Sequence, residues 1–131
     1  MIKIIVVQYD QAGLRRACNA VDDRDMEPIP CDCIRDVIKA FVEHPDAAGV
    51  LTDAFIPYNF NEGIDGGCGL FVVLKALEKK LPVIICSDIT GNYYLLACDI
   101  ISAFEKATGE KIKGFIGDGK DYQKALDILF G

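Results

Sequence analysis

The sequence has no excess of basic charge: 14 Lys and Arg stand against 20 Asp and Glu, for a formal net charge of −6. A nucleic-acid surface needs a clustered Lys/Arg footprint, so this balance argues against a nucleic-acid partner. Long apolar runs are also missing. The opening MIKIIVVQYD holds only a short one, too short for a signal sequence or a membrane span, so no membrane partner is expected and a cytoplasmic location is. There is no internal repeat and no low-complexity tract. His44 is the only histidine and lies beside Pro45, where it reads as a solvated residue at a helix end rather than as the base of a Cys/His pair. Cys31-x-Cys33 lacks the C-x₂-C spacing of a zinc site, and no second pair matches it.

The 131 residues are 51% apolar, enough for one core, so residues 1–131 are expected to form a single domain. Six cysteines in a short chain could signal disulfides, yet most lie inside apolar periodic segments with no export signal ahead of them. They read as reduced, buried thiols.

Short apolar runs alternate five times with amphipathic helical patterns, the signature of βα units feeding a parallel sheet. The first strand is expected over residues 2–7, followed by a helix with Leu14, Ala17, Cys18 and Val21 on one face and Asp10 at its N-cap. A second strand near 26–30 contains Pro28 and Pro30, which lack the N–H of a central ladder and assign it to an edge. The next helix carries Ile34, Val37, Ile38, Phe41 and Val42, with Asp32 as its cap and Pro45 as its stop. A strand at 49–52 ends in Asp53. After a long loop come a helix with Leu70, Val73, Leu74 and Leu77, then a continuously apolar strand at 83–86 ending at Ser87. A fourth helix shows Tyr93, Leu96, Ala97, Ile100, Phe104 and Ala107 in register and stops at Gly109. A strand at 112–116 and a helix with Tyr122, Ala125, Leu126 and Leu129 complete the pattern. The least apolar strands, the second and fifth, belong at the edges. This selects a three-layer α/β fold with a five-stranded parallel sheet in the flavodoxin-like order 2-1-3-4-5.

In such sheets ligands bind outside the carboxyl ends of the strands, where the strand order reverses. That edge collects Asp10, Asp53 and Ser87. Two carboxylates held close together repel unless a cation or a phosphoryl group's metal bridges them, which makes Asp10 and Asp53 the candidate metal ligands. The plainer reading is that Asp10 caps a helix and Asp53 ends a strand.

The run Thr52-Asp53-Ala54-Phe55-Ile56-Pro57 resembles the Asp-x-x-(Met/Ile)-Pro signature after strand three of response-regulator receiver (CheY-like) domains. The resemblance implies a signal-transduction domain in which Asp53 accepts a phosphoryl group and Ser87, ending strand four, contacts it. It also implies Mg²⁺ on Asp53 and an acidic pair after strand one, with a histidine kinase and a downstream effector as protein partners. Enzymatic activity would be limited to phosphoryl acceptance and autodephosphorylation at Asp53. The sequence departs from the family at two places. Gln8-Tyr9-Asp10 keeps one acid of the pair, which weakens Mg²⁺ binding. The lysine expected after strand five is absent from Phe115-Ile116-Gly117-Asp118-Gly119, and Lys120, the nearest cation, is expected on the final helix. Together these departures describe a degenerate receiver, a pseudo-receiver acting through protein partners. Its output surface, by resemblance, includes Tyr93, Tyr94 and the segment near Phe115.

The loop between Asp53 and the third helix exceeds the usual length of such connections, and its Gly63-Ile64-Asp65-Gly66-Gly67-Cys68-Gly69 leads into a helix N-terminus. That geometry also suits a small anion, though the Lys-Ser/Thr of a P-loop is missing. Asn59, Asn61, Glu62 and Asp65 lack the spacing of a Ca²⁺ loop. A small-ligand or phosphate-handling protein on the same fold is therefore the alternative. Its phosphatase version, with Asp10 as nucleophile and Ser87 as phosphate ligand, lacks a general acid at Ala12.

Overall fold

Five strands and five helices alternate along the chain in a computed structural model that describes residues 1–59, 69–88, 91–117 and 120–130. They are β1 (Lys3–Val7), α1 (Gln11–Asp22), β2 (Glu27–Cys31), α2 (Ile34–Glu43), β3 (Gly49–Thr52), α3 (Gly69–Glu78), β4 (Val83–Cys86), α4 (Gly91–Thr108), β5 (Gly114–Ile116) and α5 (Tyr122–Phe130). All strands pair in parallel in the order β2-β1-β3-β4-β5. The expected topology is therefore the observed one.

Strand alternation divides the core into two layers. Ile5, Val7, Val50, Val83 and Ile85 face α2, α3 and α4, where they meet Val37, Phe41, Val73 and Leu77. Ile4, Val6, Leu51, Ile84 and Cys86 face α1 and α5, against Ala17, Val21, Leu126 and Leu129. Because helices cover both faces, β3 and β4 are buried at every position. At the outer edge, Glu27 N–H donates to Ile2 O and Cys31 O accepts from Gln8 N–H, so alternate β2 residues face β1. Pro28 and Pro30 then face outward, where a missing N–H costs nothing and blocks pairing by a further strand.

Four details differ from expectation. The N-cap of α2 is Cys33, not Asp32, and it makes no side-chain cap bond. Asp32 instead accepts from the Gln11 amide at 3.0 Å, while the first N–H groups of α2, on Ile34 and Arg35, donate to the carbonyls of Pro57 and Tyr58. The loop after β3 thus satisfies donors that a cap residue normally serves. Ala40 replaces Ile38 and Val42 on the buried face of this helix, and those two are exposed. In α4 the buried residues are Ala97 and Ile101, whereas Tyr93, Tyr94, Leu95 and Leu96 are exposed; the first half of this helix is in contact with α3, the loop after β3 and, through the Tyr94 ring, Phe115 of β5. Strand β5 starts at Gly114 instead of residue 112, since the Ile112 N–H is taken by the Glu105 carboxylate.

Among the described residues no helix is long and apolar enough to cross a membrane. Cys18, Cys31, Cys33, Cys86 and Cys98 are free thiols. Burial pushes Cys31 and Cys86 up to about 12, so both stay protonated at neutral pH.

Candidate functional site

Parallel register brings the ends of β1, β3 and β4 to one level, with Val7 beside Thr52 and Thr52 beside Ile85. Gln8 and Asp53, the next residues, and Ser87, directly after Cys86 at the end of β4, therefore emerge together at the carboxyl edge. All three are buried, with Gln8 fully enclosed and Asp53 only 5% exposed. Asp53 N–H still donates to Val7 O at 2.8 Å, and the Thr52 hydroxyl donates to Asp53 O at 2.9 Å, so the backbone is fixed from both sides.

Among the described residues, three donors reach the Asp53 carboxylate. Ser87 Oγ donates to Oδ1 at 2.5 Å and Phe55 N–H to the same oxygen at 3.2 Å. Lys120 Nζ donates to Oδ2 at 3.2 Å. The lysine and aspartate side chains are 12% and 7% exposed, so the pair is screened by solvent far less than a surface ion pair. Lys120 Nζ also donates to Gln8 Oε1 at 3.2 Å, and the Tyr122 hydroxyl donates to that oxygen at 3.1 Å. The other end of the amide, Gln8 Nε2, donates to Cys86 O at 3.2 Å. Burial pushes the Tyr122 phenol far up, so it serves as a neutral O–H donor.

Lys120 is the main correction to the sequence reading. It stands outside α5, in a left-handed conformation with φ +45°, and that turn brings its side chain back over the end of β3. The helix begins after Asp121, whose carboxylate accepts from Lys124 N–H at 3.0 Å and so caps the first turn. An Asp N-cap just after Lys120 was a legible sign that the lysine precedes the helix. Gln8 lies in the run where the resemblance implies an acidic pair, but its contact with Tyr122 could not be read from sequence, because nothing local marks their side chains as meeting.

Of the expected site residues, Asp53 and Ser87 come together in direct contact. Asp10 is exposed, and its two oxygens accept from Ala12 N–H and Gly13 N–H, each at 3.2 Å, as the cap of α1. Tyr9 is exposed. The implied Mg²⁺ calls for several hard oxygen donors around one cation. Here the position two residues before Asp10 is a neutral amide already engaged at both ends, Asp10 is spent on a helix cap, and Asp53 already holds an ammonium group. These residues do not fit a divalent cation. Elsewhere among the described residues, Asp32, Cys33 and Asp36 bring ligand-type atoms within 4.8 Å of one another, at the entry to α2.

The last glycine of the long loop has a packing role. A Cβ on Gly69 would lie 2.2 Å from Asp53 O and 2.6 Å from Ala54 C, both backbone atoms. Only glycine lets α3 begin directly against the exit of β3. Asn61, Glu62, Gly63, Ile64, Asp65, Gly66, Gly67 and Cys68, together with Asp118 and Gly119, lie outside the described residues. Beside Asp53, an apolar groove of about 60 Å³ runs between Ala54, Phe55, Leu70, Tyr93, Leu96 and Ile100.

No family model and no curated protein matches this sequence. Solved structures do. A response regulator receiver domain protein from Clostridium thermocellum superposes with a TM-score of 0.70 at 15% identity, over 99% of this chain and 92% of its own. The signal receiver domain of an HD domain-containing protein from Pseudomonas fluorescens Pf-5 gives 0.70 at 14%, over 98% and 91%. The chemotaxis protein CheY4 of Vibrio cholerae gives 0.65 at 15%, over 99% and 97%. At such identities the likeness speaks for the fold alone: this chain has the fold seen in response-regulator receiver (CheY-like) domains.

Proposed function

We propose that this chain is a receiver-like signalling module that accepts a phosphoryl group on Asp53 and acts through a protein partner. The observation that carries this reading is the contact of Ser87 Oγ and Lys120 Nζ with the two oxygens of the Asp53 carboxylate, at 2.5 and 3.2 Å. A nucleophile, a hydroxyl donor and a cation then share one water-poor pocket at the sheet edge where this fold class binds ligands.

In the step we assign to it, an Asp53 carboxylate oxygen attacks the phosphorus of a phosphohistidine or an acyl phosphate. The new O–P bond forms as the donor's P–N or P–O bond breaks, and the electron pair leaves with the imidazole, which takes a proton from water, or with the carboxylate. Ser87 turns its O–H, and Lys120 its ammonium, from the carboxylate to the phosphoryl oxygens. Both donors are already within reach, so little reorganisation is required.

The partner belongs to the same reading. The first half of α4 exposes Tyr93, Tyr94, Leu95 and Leu96, and the Tyr94 ring meets Phe115 edge-on at 5.2 Å. An exposed apolar surface of this kind suits a protein partner better than water. A kinase or effector in the cytoplasm, where the free cysteines stay reduced, is the expected setting.

The test is treatment with acetyl phosphate in the presence of Mg²⁺, read by intact mass. The wild type is expected to gain one phosphoryl group that hydroxylamine removes, and Asp53→Ala to gain none. An unmodified wild type overturns the reading.

A further inference from the structure

We propose that Lys120, steered by Gln8 and Tyr122, takes the place of a divalent cation in this pocket, so that Asp53 is neutralised and phosphorylated without metal. This rests on the reading of Asp53 as a phosphoryl acceptor.

The donor set points this way. A metal-dependent pocket gathers carboxylates whose mutual repulsion the cation relieves. Here Asp53 is the only described carboxylate in the contact network, and its counter-charge comes from the chain itself. Gln8 occupies the end of β1, fully buried, as a neutral acceptor rather than an acid. Its orientation is set at both ends, since Oε1 receives two donors and Nε2 meets the Cys86 carbonyl. The result is an oxygen that holds the lysine without competing for a cation.

Lys120 is built into its position. It contacts Asp53 Oδ2 and Gln8 Oε1 at the same 3.2 Å, which engages two of the three ammonium donors. The third can reach an incoming phosphoryl oxygen. Its φ of +45° is a conformation that a residue with a Cβ adopts only when its surroundings hold it there. Tyr122 supplies the second donor to Gln8 Oε1 and is itself held on the other side, its ring lying 5.7 Å from the Arg16 guanidinium. Gln8 and Tyr122 are therefore positioning residues for Lys120. Asp10 cannot join a metal site without giving up the N–H groups of Ala12 and Gly13.

The experiment follows phosphorylation by acetyl phosphate in excess EDTA and in excess Mg²⁺, alongside thermal unfolding in the same two buffers. In this step the acetyl P–O bond breaks and acetate leaves with the electron pair, so no further reactant is required. The wild type is expected to be modified at the same rate in both buffers and to show the same Tm. Lys120→Met should lose at least about tenfold in rate in both buffers, the scale of removing one transition-state donor, with Lys120→Arg recovering part of it. Gln8→Glu, which sets a second carboxylate beside Asp53, should gain a Mg²⁺-dependent rise in Tm that the wild type lacks. Modification that requires Mg²⁺, or a wild-type Tm raised by Mg²⁺, overturns the proposal. A wild type that stays unmodified in both buffers refutes phosphoryl acceptance instead, and the Mg²⁺ dependence of the two Tm values still decides the role of Lys120.

Discussion

Replacing Lys120 by Met should be among the most damaging single changes outside the apolar core. The substitution keeps the apolar stem and removes the ammonium, so Asp53 loses the donor on Oδ2 and Gln8 loses one of two donors on Oε1. Removing one partner of a buried ion pair typically costs about 3–5 kcal/mol. Asp53 retains Ser87 and the Phe55 N–H on its other oxygen, and the pair keeps 12% and 7% exposure, which favours the low end of that range, about 3 kcal/mol. For a chain of this size the loss corresponds to a fall of about 10 °C in Tm. Asp53→Asn removes the opposite charge and leaves Lys120 on Gln8, at about 1–2 kcal/mol. The double variant has neither charge to strand, so its cost should fall below the sum of the singles by at least about 1.5 kcal/mol. Urea unfolding followed by circular dichroism on all four proteins closes the cycle. A Lys120→Met cost under about 0.5 kcal/mol, or strict additivity, would refute the claim that this pair is coupled and shielded from water.

Gly69→Ala should cost at least about 3 kcal/mol, because its Cβ meets backbone of Asp53 and Ala54 that cannot rotate away. Gly117→Ala, with nothing within 4 Å of the added carbon, is the matched control and should stay near neutral in the same urea titration. Tyr122→Phe should cost about 1 kcal/mol for the lost bond to Gln8. Since a Cβ on Gly13 would lie 3.0 Å from the Tyr122 hydroxyl oxygen, Gly13→Ala should be better tolerated in the Tyr122→Phe background than in the wild type, by about 0.5 kcal/mol in equilibrium unfolding. The buried thiols set an alkaline limit. Cys86 rises from its ordinary value of 9.0 to about 12 in the fold, so between those values the unfolded chain has lost a proton that the native state keeps. Stability is then full below pH 9 and declines as pH rises toward 12, by about 1.4 kcal/mol per pH unit for this group. Cys86→Ala should flatten that slope by the same amount, and an unchanged slope in unfolding measured from pH 9 upward would contradict the burial argument.

The partner surface can be probed through its cost. Tyr93, Leu95 and Leu96 are exposed, so changing each to Glu should shift the unfolding free energy by no more than about 0.5 kcal/mol. Changing Ala97 or Ile101, the buried side of the same helix, should be clearly destabilising.

The order of elements and the strand order were legible in the sequence because they depend on local chemistry. Apolar period marks strands and helices, and Pro28 and Pro30 exclude β2 from the sheet interior whatever it pairs with. Asp10 as the cap of α1 and Gly109, at φ +74°, as the stop of α4 follow from the same kind of local demand. Asp53 and Ser87 were legible because parallel strands in this order must end on one edge. The centre of the buried face of α2 and of α4 was legible, since Ile34, Val37, Phe41 and Ala97 are buried as expected, but the limits of that face were not, because only the neighbouring elements set them. Ile38 and Val42 ended in solvent for that reason, and the loop after β3 served the first turn of α2 in place of Asp32.

Local chemistry along the chain fixes a five-stranded α/β sheet with an aspartate and a serine at its carboxyl edge. The charge those residues meet comes from long-range packing. Lys120 lies 67 positions from Asp53 and Tyr122 lies 114 from Gln8, so no periodicity or motif could join them. The left-handed turn ahead of α5 and the packing of α1 and α5 on one face of the sheet bring them together, so that a lysine four positions past the end of β5 supplies the ion pair to Asp53.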